Sequence, residues 1–294
     1  MENVTCVLDV HAKVGECPVW CPEERKLYWI DIAGCRLNRF DPASGHNEIC
    51  QLPEQIGSFA LREQGGIVAA LRSGFYFVDF DTGHLTAICD PEADKPENRF
   101  NDGRCDPAGR FWAGTMRDPQ DPTQRPGALY RLGIDLNCSQ MVTGVGVSNG
   151  LAFSPDGKTM YFADTNRDVQ TIWAFDFDPH EGAISNRRVF ATTHALPGRP
   201  DGACVDAEGF YWSANVDGWQ LVRFAPDGRG DRTLALPVQK PSMCAFGGEH
   251  FATLYITTIG SGGSTPLEPG QPQAGGLFAC EPGVRGLPEP KFKG

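Results

Sequence analysis

The sequence predicts an all-β protein, a six-bladed β-propeller with four antiparallel strands per blade. Six aromatic or aliphatic pairs recur roughly 39 to 50 residues apart, which is the period of four-stranded propeller blades. The 35 glycines and 23 prolines suit a chain with many turns. No amphipathic helical pattern of useful length interrupts the repeats, so we expect few helices. The pairs are Tyr28-Trp29, Ile67-Val68, Phe111-Trp112, Tyr161-Phe162, Tyr211-Trp212 and Leu254-Tyr255.

Each pair is predicted to lie in the second strand of a blade. In the third, fourth and fifth copies a turn rich in Asp, Pro and Gly leads from the first strand to the pair, because these residues favour tight reversals. A third strand with mostly alternating apolar and polar residues follows, as in QLVRF (220–224). A fourth strand follows in most copies, as in LTAICD (85–90).

The last copy has no fourth strand of its own before the Pro- and Gly-rich segment VRGLPEPKFKG. The beginning of the chain offers an unassigned strand, VTCVLDV. We therefore expect residues 4–10 to complete the last blade, which would remove the exposed edges of an open ring. No linker or low-complexity segment divides the chain, so residues 1–294 are predicted to form a single domain.

Composition excludes several classes of function. A formal net charge of −11 argues against nucleic acid and anionic membranes as partners. The sequence shows neither a leader-like start nor an apolar run long enough to span a bilayer. The eleven cysteines are scattered and odd in number, which favours reduced thiols over a disulfide framework. We expect a cytoplasmic monomer.

Polar residues recur at the start of the first strand of each blade. First strands line the central channel of a propeller, so equivalent residues at their starts converge on one mouth of that channel. Carboxylate and amide oxygens gathered there without lysines favour a hard or borderline divalent cation, with calcium, magnesium, manganese, zinc and ferrous iron all open. The equivalent residues are Glu16, Gly57, Asp102, Asn149, Asp201 and Ser242.

An ordinary turn is the alternative explanation for three of these residues. Asp102, Asn149 and Asp201 each precede a glycine, and Asx-Gly pairs are common in turns. Glu16 precedes Cys17-Pro18 instead and has no Asx-turn chemistry, yet it falls in the same register. This agreement favours the metal site over three unrelated turns.

Four segments carry a family resemblance: GECPVW, RFNDGRCDPAGRFWAGTM, VSNGLAFSPDGKTMYFADT and RPDGACVDAEGFYW. They resemble the gluconolactonase, senescence marker protein and luciferin-regenerating-like family, and the resemblance extends through most of the chain. It implies a six-bladed propeller with a divalent metal at the channel mouth. It further implies that Asp102 supports its loop. The implied metal ligands are Glu16, Asn149 and Asp201, and the implied substrate-binding residues are Arg99 and Asn101.

Two positions depart from the family pattern. Cys17 stands where a glycine commonly follows the first glutamate, a change expected to alter packing or to bring a sulfur near the metal. A substrate-contacting carboxylate is expected after the Gly-Thr-Met segment, and Asp118 is the nearest candidate. A solvated turn carboxylate before Pro119 is the alternative interpretation of Asp118.

Together these features predict metal-dependent hydrolysis of a sugar (aldono)lactone to the aldonic acid. The metal would polarise the lactone carbonyl and activate water. Asp201 is predicted to act both as ligand and as proton acceptor, with a hydroxide as the alternative base. Arg99 and Asn101 would fix the sugar against the metal. The alternative function is a calcium-binding or scaffold propeller without catalysis.

Overall fold

A computed structural model describes residues 3–294 and shows six four-stranded antiparallel sheets. The first strands of neighbouring sheets contact one another in sequence, and the last contacts the first. This closed ring is a six-bladed β-propeller, as the sequence predicts. Each anchor pair lies in the second strand of its blade.

The strands are numbered in chain order and grouped here by blade. Blade 1 contains β2 (Gly15–Cys21), β3 (Lys26–Asp31), β4 (Arg36–Asp41) and β5 (His46–Gln51). Blade 2 contains β6 (Ile56–Leu61), β7 (Ile67–Leu71), β8 (Gly74–Val78) and β9 (Leu85–Cys89). Blade 3 contains β10 (Asn98–Cys105), β11 (Phe111–Arg117), β12 (Gly127–Leu132) and β13 (Cys138–Val145). Blade 4 contains β14 (Ser148–Phe153), β15 (Thr159–Asp164), β16 (Thr171–Asp178) and β17 (Ala183–Thr192). Blade 5 contains β18 (Arg199–Val205), β19 (Tyr211–Val216), β20 (Gln220–Phe224) and β21 (Gly230–Ala235). Blade 6 contains β22 (Pro241–Gly247), β23 (Thr253–Thr258), β24 (Leu277–Cys280) and β1 (Thr5–Leu8).

In blades 3 and 5 the same kind of hydrogen bond connects the turn between the first two strands to the core. The buried indole of Trp112 donates a hydrogen bond to Asp106 at 3.0 Å, and that of Trp212 donates to Asp206 at 2.9 Å. Each aspartate also accepts hydrogen bonds from backbone N–H groups of its own turn. Because a buried indole N–H needs an acceptor, the Asp-x-x-Gly turn and the aromatic anchor stabilise each other.

Strand β1 completes the last blade by pairing with β24. This confirms the predicted closure, with Thr5–Leu8 in the strand rather than the full span of residues 4–10. Helix is scarce, as expected: the one helical segment in residues 3–294 is the three-residue 3-10 turn Glu249–Phe251. Within that range no helix has the length and apolarity required to span a membrane.

The C-terminal segment crosses one end of the central channel. Residues 288–291 help to line a cavity of about 240 Å³ with first-strand residues of blades 1, 2, 3 and 6. Glu289 forms an ion pair with Arg104 of β10, with 2.6 Å between Oε1 and Nη1. Phe292 is fully buried, and its N–H donates to the Leu61 carbonyl at 2.8 Å. The predicted site lies at the other end of the channel, where the first strands begin.

Candidate functional site

Every first strand carries a β-bulge near its start. The pairing between first and second strands shifts register in all six blades. Asn101 and Asp201 lie within their bulges, and Glu16 and Asn149 lie immediately before theirs. A bulge bends the strand and redirects side chains, so these irregularities turn polar groups toward the channel mouth.

These side chains meet in one cavity of about 220 Å³ at that mouth. Three of the six register positions, Glu16, Asn149 and Asp201, line this cavity as expected, whereas Gly57, Asp102 and Ser242 do not. In blade 3 the strand pairing makes Asn101, not Asp102, the equivalent of Asp201, so the predicted register was wrong by one residue there. The role of each residue stays a prediction. Residues of blades 1, 3, 4, 5 and 6 contribute to the wall. The six residues predicted to bind the metal or the substrate all line this cavity: Glu16, Arg99, Asn101, Asp118, Asn149 and Asp201.

Two carboxylates, Glu16 and Asp201, are the most buried acids of the cavity. Burial raises the pKa of Glu16 well above its usual range, and the charges of Asp201 and Asp102 raise it further. Burial also raises the pKa of Asp201 strongly, although the Arg199 charge opposes this. Glu16 accepts a hydrogen bond from the Cys17 N–H at 2.9 Å. Among residues 3–294 the structure records no hydrogen bond to the Asp201 carboxylate, so its oxygens are available to a ligand.

A chain of hydrogen bonds connects three blades beneath the cavity. Asn101 Nδ2 donates to Asn149 Oδ1 at 3.0 Å, and Asn149 Nδ2 donates to Thr165 Oγ1 at 2.7 Å. The Thr165 hydroxyl then donates to the Pro200 carbonyl of blade 5 at 2.6 Å. These contacts fix the orientation of the Asn149 amide, with its nitrogen bound to Thr165 and its oxygen on the opposite side.

Arg99 links this chain to an acidic partner. Its Nη1 donates to Asn101 Oδ1 at 2.8 Å, and its Nε lies 3.6 Å from Asp118 Oδ2. Arg72 donates to the same Asp118 oxygen at 2.9 Å. No hydrogen bond from Arg99 Nη2 is recorded in the described part of the chain. Arg99 Nη2 and Asp118 Oδ1 thus have no recorded hydrogen-bond partner within residues 3–294, and they are a candidate donor and a candidate acceptor for a ligand in this cavity.

Two neighbours of the predicted ligands face away from this cavity. Asp102 accepts a hydrogen bond from the Leu151 N–H at 2.9 Å and does not line the cavity. Its role as a support for its loop stays a prediction. Cys17 lines the cavity at the opposite end of the channel, and its thiol contacts the Phe59 carbonyl at 3.7 Å. The Cys17 sulfur thus lies outside the cavity of the candidate ligands, which favours altered packing over a sulfur beside the metal.

The sequence analysis missed several lining residues. Arg199 donates to Asp217 at 2.6 Å and to the Thr165 carbonyl at 3.2 Å. The sequence did contain a signal for Arg199, because it precedes Asp201 by two positions, as Arg99 precedes Asn101. In the structure the two arginines pair with equivalent positions of their second strands. Residues 262–264, which also line the cavity, belong to the long β23–β24 connection and carry no comparable signal.

The donor set of the cavity fits a divalent cation. Glu16 and Asp201 are buried carboxyl groups, and burial first, with neighbouring acids second, raises their pKa values and disfavours their charged forms. A bound cation would offset that effect, and Asn149 Oδ1 would add a neutral oxygen. Within residues 3–294 no group of three or more His, Cys, Asp or Glu side chains is placed to hold a metal. The candidate set is thus two carboxylates and one amide.

Comparison with known proteins gives three consistent findings. The SMP-30/Gluconolactonase/LRE-like region matches residues 14–260. A 6-deoxy-6-sulfogluconolactonase from Pseudomonas putida is 43% identical, with 100% of this chain and 99% of that protein covered. Regucalcin from Gallus gallus is 37% identical, with 99% of each chain covered.

A solved structure agrees with these sequence relatives. The crystal structure of a calcium-binding protein, regucalcin, from Agrobacterium tumefaciens superposes with a TM-score of 0.92 at 27% identity, covering 99% of this chain and 98% of the other. The similarity to these proteins therefore covers nearly the whole chain, including the six blades and the residues of the channel-mouth cavity. This chain belongs to the SMP-30/gluconolactonase/LRE-like family.

Proposed function

We propose that the protein hydrolyses a sugar (aldono)lactone to the aldonic acid with the help of one divalent cation at the channel mouth. The observation that carries this proposal is the meeting of Glu16, Asn149 and Asp201 with Arg99 and Asn101 in a single cavity. The family and the Pseudomonas putida relative named for a sugar lactone support the reaction class. Glu16, Asn149 and Asp201 would hold the cation.

The cation, when bound, would supply Lewis acidity that makes the lactone carbonyl more electrophilic and a nearby water more acidic. Arg99 Nη2 is placed to donate to a sugar oxygen, and Asp118 Oδ1 to accept from a sugar hydroxyl. Asn101 has both amide hydrogens committed to Ser148 and Asn149, so it contacts substrate through Oδ1. These contacts would orient the ester for attack.

Asp201 is the catalytic residue in this proposal. Its carboxylate would accept a proton from the attacking water as the new bond to the carbonyl carbon forms. The ring C–O bond then breaks, and the proton passes from Asp201 to the departing ring oxygen. The products are one carboxylic acid group, which releases its proton to the solvent, and one hydroxyl on the same open-chain sugar acid.

Calcium binding without catalysis is the second candidate function. Regucalcin relatives and the solved calcium-binding neighbour favour it, because the same oxygen donors suit calcium. Under this alternative the cavity would bind the ion without turning over a lactone. The cytoplasmic location and monomeric state stay predictions from composition.

One experiment separates the two functions. The purified protein is stripped with a chelator, reloaded with calcium, magnesium, manganese, zinc or ferrous iron in turn, and assayed on five- and six-carbon aldonolactones by the acid released. The proposal expects hydrolysis above the spontaneous rate, lost on chelation and regained on reloading, with Asp201→Asn inactive. Ion binding without turnover on any lactone would support calcium binding and reject the lactonase.

A further inference from the structure

A second cavity adjoins the candidate site at the channel mouth. It measures about 270 Å³ and is lined by three arginines and one carboxylate. Gln120, Val147, Arg199 and Ser264 line both cavities, so the two spaces share a wall. The charged residues of the second cavity are Arg117, Arg167, Arg199 and Asp121.

The positive charge of this cavity is only partly compensated. Arg199 pairs with Asp217, and Arg117 pairs with Glu97, an acid whose side chain is 61% exposed. Arg167 is exposed and has no ion pair recorded within residues 3–294. Solvent screens the Glu97 partner, so Arg117 remains available to a second anion.

Asp121, the one carboxylate that lines the second cavity, accepts hydrogen bonds from residues of its own turn. Asp121 accepts hydrogen bonds from the Thr123 N–H at 3.0 Å, from the Thr123 hydroxyl at 2.7 Å and from Gln124 Nε2 at 2.8 Å. These bonds hold its pKa below the usual range and direct its oxygens to the turn. Asp121 therefore adds little neutralisation beyond the ion pairs of Arg199 and Arg117, and Arg167 has no recorded ion pair within residues 3–294.

The shared wall adds uncharged hydrogen-bonding groups. No side-chain hydrogen bond of Gln120 or Ser264 is recorded in the described residues, so both side chains are free to contact a ligand that extends across the wall. The chain as a whole carries a formal charge of −11, which repels an anionic ligand at long range. Any affinity for such a ligand must therefore come from these local arginines.

We propose that this second cavity binds an anionic substituent, a sulfonate, phosphate or carboxylate, on the lactone substrate at the end remote from the ester carbonyl. The proposal rests on the lactonase function above and specifies its substrate class. Guanidinium groups recognise such oxyanions through paired, charge-assisted hydrogen bonds. A single arginine can donate to the oxygens of a neutral sugar, but three arginines around one small cavity favour an anionic group.

The test uses variants outside the lactone cavity. Arg117→Gln, Arg167→Gln and the double variant remove charge from the second cavity alone. Arg229→Gln is the matched control, because Arg229 lies in an exposed turn and lines neither cavity. Metal-loaded proteins are assayed on gluconolactone and on its 6-phospho, 6-deoxy-6-sulfo and 6-carboxylate analogues.

The expected result is a lower KM for at least one anionic lactone than for gluconolactone in the unmodified protein. The double variant should raise that KM about tenfold, since charge-assisted hydrogen bonds carry about that much affinity, and should leave gluconolactone within about twofold. The three analogues identify which anion is preferred. Equal KM values for neutral and anionic lactones, or an equal loss in the Arg229 control, would overturn the proposal.

Binding without turnover distinguishes this proposal from the lactonase itself. Calorimetry compares gluconate with its 6-phosphate and 6-sulfonate on the same proteins. Tighter binding of a 6-substituted form than of gluconate, lost in the double variant, supports the anion site even if no lactone is hydrolysed. Equal binding of gluconate and its 6-substituted forms rejects the anion site and leaves the lactonase proposal standing.

Discussion

Thr165 offers a test of the hydrogen-bond chain that orients the candidate ligand Asn149. The substitution Thr165→Val keeps the side-chain shape but removes the hydroxyl that accepts from Asn149 Nδ2 at 2.7 Å and donates to the Pro200 carbonyl at 2.6 Å. Two buried groups then lose their partners, at a cost of about 1 to 3 kcal/mol each. The Asn149 amide also loses the bond that fixes which of its ends faces the cavity.

We expect metal affinity or lactonase activity to fall about 10- to 100-fold, the usual effect of removing a group that orients a ligand. Calorimetric metal titration and initial rates measure the two effects, and urea unfolding measures stability. Thr165→Ser, which restores the hydroxyl, should recover most of the loss. Unchanged metal affinity and turnover in a folded Thr165→Val protein would refute the reasoning, even if stability fell.

Three further predictions concern other parts of the structure. Asp201→Asn should lose metal binding and activity together with an unchanged circular dichroism spectrum; retention of both would remove Asp201 from the site. Asn101→Ala should retain metal in a titration while its lactone KM rises or its turnover falls; loss of metal would contradict its assignment to substrate. Glu289→Ala should lose about 3 kcal/mol in urea unfolding, because Arg104 is left buried and unpaired. Lys291→Ala, whose acidic partner is 61% exposed, should lose less than about 1 kcal/mol, and equal losses would contradict this account.

Local patterns in the sequence were sufficient to predict the blades. Pairs such as Phe111-Trp112 are buried between the sheets, and the turns contain the residue types that their backbone conformations favour. The apolar pairs and the turn residues can both be recognised from a short stretch of sequence. The convergence of Glu16 and Asn149 was predictable because a propeller repeats its geometry. Two residues at the same position of their blades must lie at the same end of the channel.

Contacts between distant segments were not predictable in this way. Phe292 is fully buried although it lies in a Pro- and Gly-rich segment without periodicity. The partners of Glu289 and Phe292 lie far away in sequence, in β10 and β6. The second cavity depends on Arg117 and Arg167, which come from different blades and share no motif. A single sequence contains no local signal for such pairings.

The pairing of β1 with β24 has a consequence for the order in which the chain folds. Thr5 and its partner Ala279 are 274 residues apart, so β1 leaves the ribosome long before the strand that it pairs with. At about 5 to 20 residues per second, the wait is roughly 14 to 55 s. During that time blade 6 has no complete sheet and β1 presents an unpaired edge. Ring closure is therefore a late event, and the nascent chain is most exposed to misassembly before it occurs.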